Sequence, residues 1–248
     1  MAITFKSSTS RIKPRPRVPE GVRIYAIGDI HGRADLLDQM LARIDAHLAA
    51  YPAFRPVQVF LGDYVDRGPA SRGVLDRLIT RDYDHETICL KGNHETYVVE
   101  FLKNATILDE WRHYGGLETL MSYGITPSIN ADPAEQARLA VVFRRALPES
   151  HLQFLSNLMP SFSCGDFFFV HAGVRPRIPL KKQREHDLLW IREDFLHYEE
   201  DFSKIVVHGH TPVLKPDIRP NRINIDTGAY ATGQLTCLVI ERDEFLFL

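Results

Sequence analysis

Residues 57–68 read VQVFLGDYVDRG: an apolar run, Val57 to Leu61, ends in two aspartates, an arginine and two glycines packed into GDYVDRG at 62–68. A short run rich in β-branched and aromatic residues, bounded by glycine, predicts a buried strand. Charge placed straight after such a strand belongs to the loop beyond its carboxyl end, where an open α/β sheet carries its ligands. The same grammar recurs along the chain. VRIYAI precedes GDIHG, TICL precedes KGNHE, FFFV precedes HAG and KIVV precedes HGHT; INI before DTGAY and a final TCLVI follow. After GDIHG, Leu36, Leu37, Met40, Leu41, Ile44 and Leu48 recur at spacings of three and four, and Val74, Leu75, Leu78 and Ile79 do so after GDYVDRG. Both patterns predict amphipathic helices. Strand, polar turn and helix in repetition predict an α/β domain over residues 22–248, with a helical insertion on the sheet at about 96–158, where strand signals are few.

Composition narrows the function classes. The chain has 248 residues, 44% hydrophobic and 25% charged, which is ordinary for a globular domain. Thirty basic against 32 acidic residues leave a net charge of -2, so bulk electrostatics favour no nucleic-acid partner. Cys89, Cys164 and Cys237 show none of the paired spacings of zinc sites or disulfide frameworks, which points to a reducing, cytoplasmic setting. No apolar stretch approaches the ~20 residues of a membrane span, and the N-terminus lacks an apolar signal core. Residues 1–21, with Lys6, Arg11, Lys13, Arg15 and Arg17 among prolines, are expected to form a flexible basic arm.

Five strand ends carry Asp, His or Asn: Asp29 and His31, Asp63, Asn93 and His94, His171, and His210. One alone would be an ordinary cap or turn residue. Five together, with no thiolate among them, match a hard or borderline divalent cation, and they are too many for one ion. Asp29 and His31 are two residues apart and can chelate one ion from extended chain. Asp63, with two carboxylate oxygens, suits a bridge to a second ion completed by Asn93, His171 and His210.

GDIHG, GDYVDRG, GNHE, HAG and GHT, in that order between Arg23 and Val239, resemble the signature of the phosphoprotein phosphatase branch of the calcineurin-like metallophosphoesterases. LLWIREDFL and INIDTGAY are most similar to bacterial and phage serine/threonine phosphatases. The resemblance implies mixed β-sheets sandwiched between helices, an α/β/β/α sandwich. It implies two divalent ions, Mn²⁺ by expectation with Fe or Zn also acceptable to the ligand set: the first on Asp29, His31 and Asp63, the second on Asp63, Asn93, His171 and His210. Arg67 and Arg192 would bind phosphate, and His94, oriented by Asp66, would protonate the leaving group. The implied reaction is hydrolysis of phosphoserine or phosphothreonine in proteins by in-line attack of a hydroxide held between the ions, on a phosphorylated protein or small phosphoester. Hydrolysis of diadenosine tetraphosphate on the same core is the alternative, and an inactive metal-binding scaffold a third reading. Because the dinucleotide branch commonly lacks the second Asp of VDRG and has Asp after GNH, Asp66 and Glu95 tilt the expectation toward protein phosphatases. Pro212 replaces the last histidine of the wider superfamily's Gly-His-x-His, which leaves the first ion three protein ligands. Glu95 is expected merely to start the following helix and His208 to pack or support. Asp226 stays open between a supporting and a turn role, and Tyr230 is given none.

Overall fold

A computed structural model describes residues 15–248. The elements run β1 (Val22–Ile27), α1 (Ala34–Ala50), β2 (Arg55–Phe60), α2 (Ser71–Asp84), β3 (Thr87–Cys89), α3 (Asn93–Phe101), α4 (Leu108–Trp111), α5 (Gly116–Ser122), α6 (Pro133–Ala146) and α7 (Glu149–Ser156). There follow β4 (Ser161–Cys164), β5 (Phe167–Val170), α8 (Glu185–Trp190), α9 (Glu193–Leu196), β6 (Ile205–His208), β7 (Asp217–Ile218), β8 (Arg222–Asn224), α10 (Ala229–Thr232), β9 (Cys237–Glu241) and β10 (Glu244–Phe247).

The strands form two mixed sheets, ordered β10-β9-β1-β2-β3 and β4-β5-β6-β8-β7. β1, β2 and β3 run parallel, as do β5, β6 and β8, and antiparallel strands close every edge except that at β3. Because side chains alternate across a strand, each apolar run supplies two layers at once. Ile24, Ala26, Val57, Val59 and Leu61 meet Phe167, Phe169, Val207 and Ile223 between the sheets. Tyr25, Ile27 and Phe60 face the other way, into Leu37, Met40, Ile44, Val74, Leu75 and Leu78 of α1 and α2. Phe168, Val170 and Val206 turn outward from the second sheet onto Leu188 and Phe195 of α8 and α9. The result is the expected α/β/β/α sandwich. Full burial of each such side chain contributes about 1.5–3 kcal/mol, so runs apolar on both faces are stable only between two covering layers.

Helices α3 to α7 form the insertion, centred on Trp111, Phe101, Phe143 and Tyr123. At the start of the described chain the Arg17 amide donates to Asp166 Oδ2 (3.0 Å), and Val18 is 1% exposed with its amide on the Arg242 carbonyl (2.9 Å). The chain thus joins the domain four residues before Val22. Residues 1–14 of the expected arm, with Lys6, Arg11 and Lys13, lie outside the described residues. No helix among the described residues is long and apolar enough to cross a membrane.

Candidate metal centre

The loops after the parallel strands meet at one end of the sandwich and are tied to each other by backbone bonds. The amides of Ile30 and His31 donate to the Asp63 carbonyl (3.1 and 2.8 Å), Gly209 to His171 (2.8 Å) and Ile225 to His208 (3.0 Å). Five expected site residues take positive φ: His31 (46°), Asp63 (51°), Asp66 (70°), Arg67 (66°) and His210 (66°). Only three other non-glycine residues do so among those described, Arg177, Ser203 and Arg242. Left-handed backbone costs an L-residue about 1–3 kcal/mol and persists where the surroundings over-determine it. The strain is therefore concentrated where side chains are aimed.

Glu95 is one of the groups that hold it. Glu95 does lie in the first turn of α3, as expected, but its buried carboxylate also accepts the amides of Gly92 (2.9 Å), Asp63 (3.0 Å) and Tyr64 (2.7 Å). It fastens GDYVDRG to GNHE. Gly92 makes the approach possible, since a Cβ there would stand 2.2 Å from Asp63 Oδ1. Glu95→Gln replaces one of two acceptor oxygens with a donor facing backbone donors. The variant is expected to lose about 2–4 kcal/mol of stability, read as a lower urea midpoint at unchanged slope.

Two groups of donor atoms gather among the described residues, His31, Asp63 and His94, and Asp63, His171 and His210, each within 4.8 Å of one another. Their protons decide what they can bind. His31 Nδ1 lies 3.0 Å from the Val65 carbonyl oxygen and His171 Nδ1 3.0 Å from that of Leu61, so each Nδ1 carries the proton it donates. Burial pushes His31 down to about 3 and His210 to about 2, and it lowers His171 as well; the rings are neutral at ordinary pH. The Nε2 lone pair of His31 then faces Asp63 Oδ2 at 3.4 Å, and that of His171 faces Asn93 Oδ1 at 2.9 Å and Asp63 Oδ1 at 3.3 Å. His210 Nδ1 lies 2.9 Å from the same Asn93 oxygen. At His31 and His171 acceptors thus face acceptors with no proton between them, an arrangement that a divalent cation resolves.

Further observations fit that donor set. Asp29 stands outside both groups; its Oδ2 accepts the His210 amide (3.0 Å), while its buried Oδ1 has no hydrogen-bond partner, and neither has His210 Nε2. Burial, then Asp226 and Asp63, push the Asp29 carboxyl well up, as expected of carboxylates gathered without a countercharge. Burial works the same way on Asp63, but its direction is downward, because the surrounding histidines, His171 foremost, take up a proton before it does and then oppose its protonation.

Around this centre sit the groups expected to handle phosphate. His94 Nδ1 is 2.7 Å from Asp66 Oδ2, and Nε2 is 3.4 Å from the Arg67 guanidinium and 3.8 Å from Asp63 Oδ2. Burial pushes the His94 ring down, but Asp63 and Asp66 outweigh it, so the ring is raised from its ordinary value. Asp66 also accepts the Trp111 indole (2.8 Å) and the Thr119 hydroxyl (2.5 Å). With donors facing both oxygens its side chain is fixed in place as an acceptor. Trp111 and Thr119 come from the helical insertion, and no local pattern in WRHYGGLETL announces their reach. Tyr230, left without a role by the sequence, has the Arg67 guanidinium 4.5 Å over its ring and the His31 ring edge-on at 5.4 Å. Arg192 is exposed at the margin, its guanidinium on the Thr211 hydroxyl (3.2 Å); its charge adds to burial in keeping His171 and His210 low. Asp226, pushed up to about 6 by burial, lies beside Asp29 and accepts the Gly228 amide (2.9 Å). His208 packs edge-on against Phe195 (4.9 Å).

Comparison with known proteins follows from this geometry. An asymmetrical bis(5'-nucleosyl)-tetraphosphatase PrpE of Anoxybacillus flavithermus is 29% identical over 232 residues, covering 86% of this chain and 88% of its own. The enzyme of the same name from Oceanobacillus iheyensis is 26% identical over 244 residues, 91% of each chain. A solved structure provisionally described as a diadenosine tetraphosphatase superposes with a TM-score of 0.60 over 91% of this chain and 92% of its own; at 20% identity it bears on fold alone. The expectation of a phosphoserine/phosphothreonine protein phosphatase is corrected here. The relatives that match most of the chain carry a dinucleoside tetraphosphatase name, and Asp66 and Glu95, which tilted the expectation, are buried and engaged with the protein itself. The sequence pattern of the calcineurin-like phosphoesterases matches residues 22–237, nearly the whole sandwich, and the chain belongs to that family.

Proposed function

We propose that the chain hydrolyses dinucleoside tetraphosphates, such as diadenosine tetraphosphate, asymmetrically into a nucleoside triphosphate and a nucleoside monophosphate. The observation that carries this is the likeness to relatives named for that activity, over 86% and 91% of the chain. Asp29, His31 and Asp63 would hold one divalent ion, and Asp63, Asn93, His171 and His210 a second, with Mn²⁺ the first to test. When bound, such ions neutralise phosphate charge and lower the pKa of water. The chain's own groups do the rest. The planar Arg67 guanidinium, held by the Tyr230 ring, suits two oxygens of the attacked phosphate, and Arg192 extends positive charge along the margin. His94 Nε2 is the atom from which a proton reaches the departing oxygen, while Asp66 fixes the ring through Nδ1. Water oxygen bonds to phosphorus as one anhydride P–O bond breaks, and the pair of electrons leaves on the displaced phosphate.

Mn²⁺-loaded protein given diadenosine tetraphosphate, a phosphoseryl peptide and an aryl phosphate separately is expected to turn over the dinucleotide with the highest kcat/KM, releasing ATP and AMP. Preference for the phosphopeptide, or no dinucleotide turnover, would overturn the proposal. Two molecules of ADP as product would overturn the asymmetry.

A further inference from the structure

We propose that Tyr114 is a stacking platform for a nucleobase, that of the nucleotide released as monophosphate; this rests on the dinucleotide reading above. Tyr114 stands immediately before Gly115, whose carbonyl accepts the Arg67 amide (3.2 Å), so its place is fixed relative to the phosphate-binding arginine. Its ring stacks on Tyr97, centroids 5.4 Å apart and planes 22° from parallel. Tyr97 is itself immobile: 5% exposed, its hydroxyl on Glu110 (2.6 Å) and Trp190 edge-on at 6.0 Å. Tyr114 is 38% exposed, with the His94 ring perpendicular to it at 6.1 Å. A supported stack therefore ends at a half-exposed aromatic ring beside the proton donor, at the rim of the site.

Burial alone does not account for a large ring left open at the margin of a site. A base, which has a π-face whatever its identity, would extend the Tyr97–Tyr114 stack by one layer. Connectivity favours the monophosphate end. The scissile phosphate lies by Arg67 and His94, and the base of that nucleotide is separated from it by only one sugar, the same short reach that separates Tyr114 from His94. Tyr230, 39% exposed, is the other ring at the rim, but the Arg67 guanidinium already covers it, so its part is to hold that arginine. A platform that reads a π-face rather than a hydrogen-bonding edge should accept adenine and guanine alike.

The test is equilibrium binding of AMP and of ribose 5-phosphate, which lacks the base, to the Mn²⁺-loaded full chain. Wild type is expected to bind AMP about 5- to 150-fold more tightly than ribose 5-phosphate, the range that base–aromatic stacking supplies. Tyr114→Phe should keep that ratio; Tyr114→Ala and the bulkier Tyr114→Leu should bring it toward one, with ribose 5-phosphate affinity within about twofold of wild type if only the stacking contact is lost. An unchanged ratio in the Ala and Leu variants, or a wild-type ratio of one, would overturn the platform. Because the ratio is internal to each variant, a partly unfolded sample does not imitate the effect. Turnover is scored separately: hydrolysis of diadenosine tetraphosphate with a Tyr114-independent ratio removes the platform and leaves the activity. An inert dinucleotide with a Tyr114-dependent ratio removes the activity and leaves a nucleotide site.

Discussion

Asp63→Asn is expected to lower kcat/KM for diadenosine tetraphosphate by at least about 10³-fold, the scale on which removing a principal electrostatic group acts. The two oxygens of Asp63 serve different sides of the centre. Oδ2 faces His31 at 3.4 Å, while Oδ1 faces His171 at 3.3 Å and accepts the His94 amide at 3.1 Å. Asparagine keeps the shape and one oxygen, turns the other into a donor and removes the charge. The amide group would then have to present N–H to a histidine lone pair, the opposite of what two cations sharing a ligand require. Metal content after gel filtration in Mn²⁺ should fall by at least one ion per chain. The fold should hold, because the Asp63 main chain, not its side chain, makes the bonds to Glu95, Ile30 and His31. Wild-type turnover and full metal content in Asp63→Asn would remove Asp63 from the centre.

Much of this architecture is legible in the chain because two periods coincide. Ile24 and Ala26 alternate with Tyr25 and Ile27, and all four are buried, so β1 must be covered on both faces. The placement of residues that follow a strand end, such as Asp63 and His171, is legible for the same reason: topology brings those loops together at one end of the sandwich. What escaped are contacts made across long sequence separations. Trp111 and Thr119 reach Asp66 from 45 and 53 residues away. Tyr230 meets Arg67 only when the last crossover returns to β1. Glu95 was legible as a helix start because that role is local, whereas its grip on Asp63 and Tyr64 depends on how closely two loops approach, which Gly92 settles. The substrate was misread for a physical reason as well. Residues that distinguish branches of a family can do so by stabilising different loop packings, and a buried carboxylate surrounded by protein donors reports on packing before it reports on substrate.

His94→Asn separates two roles that the geometry brings close together. His94 is grouped with His31 and Asp63, and its Nε2 also stands by Arg67, where a leaving oxygen would need a proton. A proton donor matters in proportion to the basicity of what leaves. An alkoxide needs protonation, and loss of a positioned acid there costs about 10²–10⁴-fold. A phosphate released from an anhydride has a second pKa of about 6 and needs little help near neutral pH. His94→Asn is therefore expected to cut turnover of a simple alkyl phosphate by about 10²- to 10⁴-fold and that of diadenosine tetraphosphate by less than about tenfold, with metal content unchanged. Asp66→Asn should follow the same substrate pattern, because it removes the carboxylate charge that stands 2.7 Å from Nδ1 and raises the His94 ring. Equal losses on both substrates, accompanied by a missing ion, would place His94 among the metal ligands instead. The departing nucleotide would then leave without a protein acid, which the low basicity of its phosphate permits and the alkoxide of a phosphoserine does not.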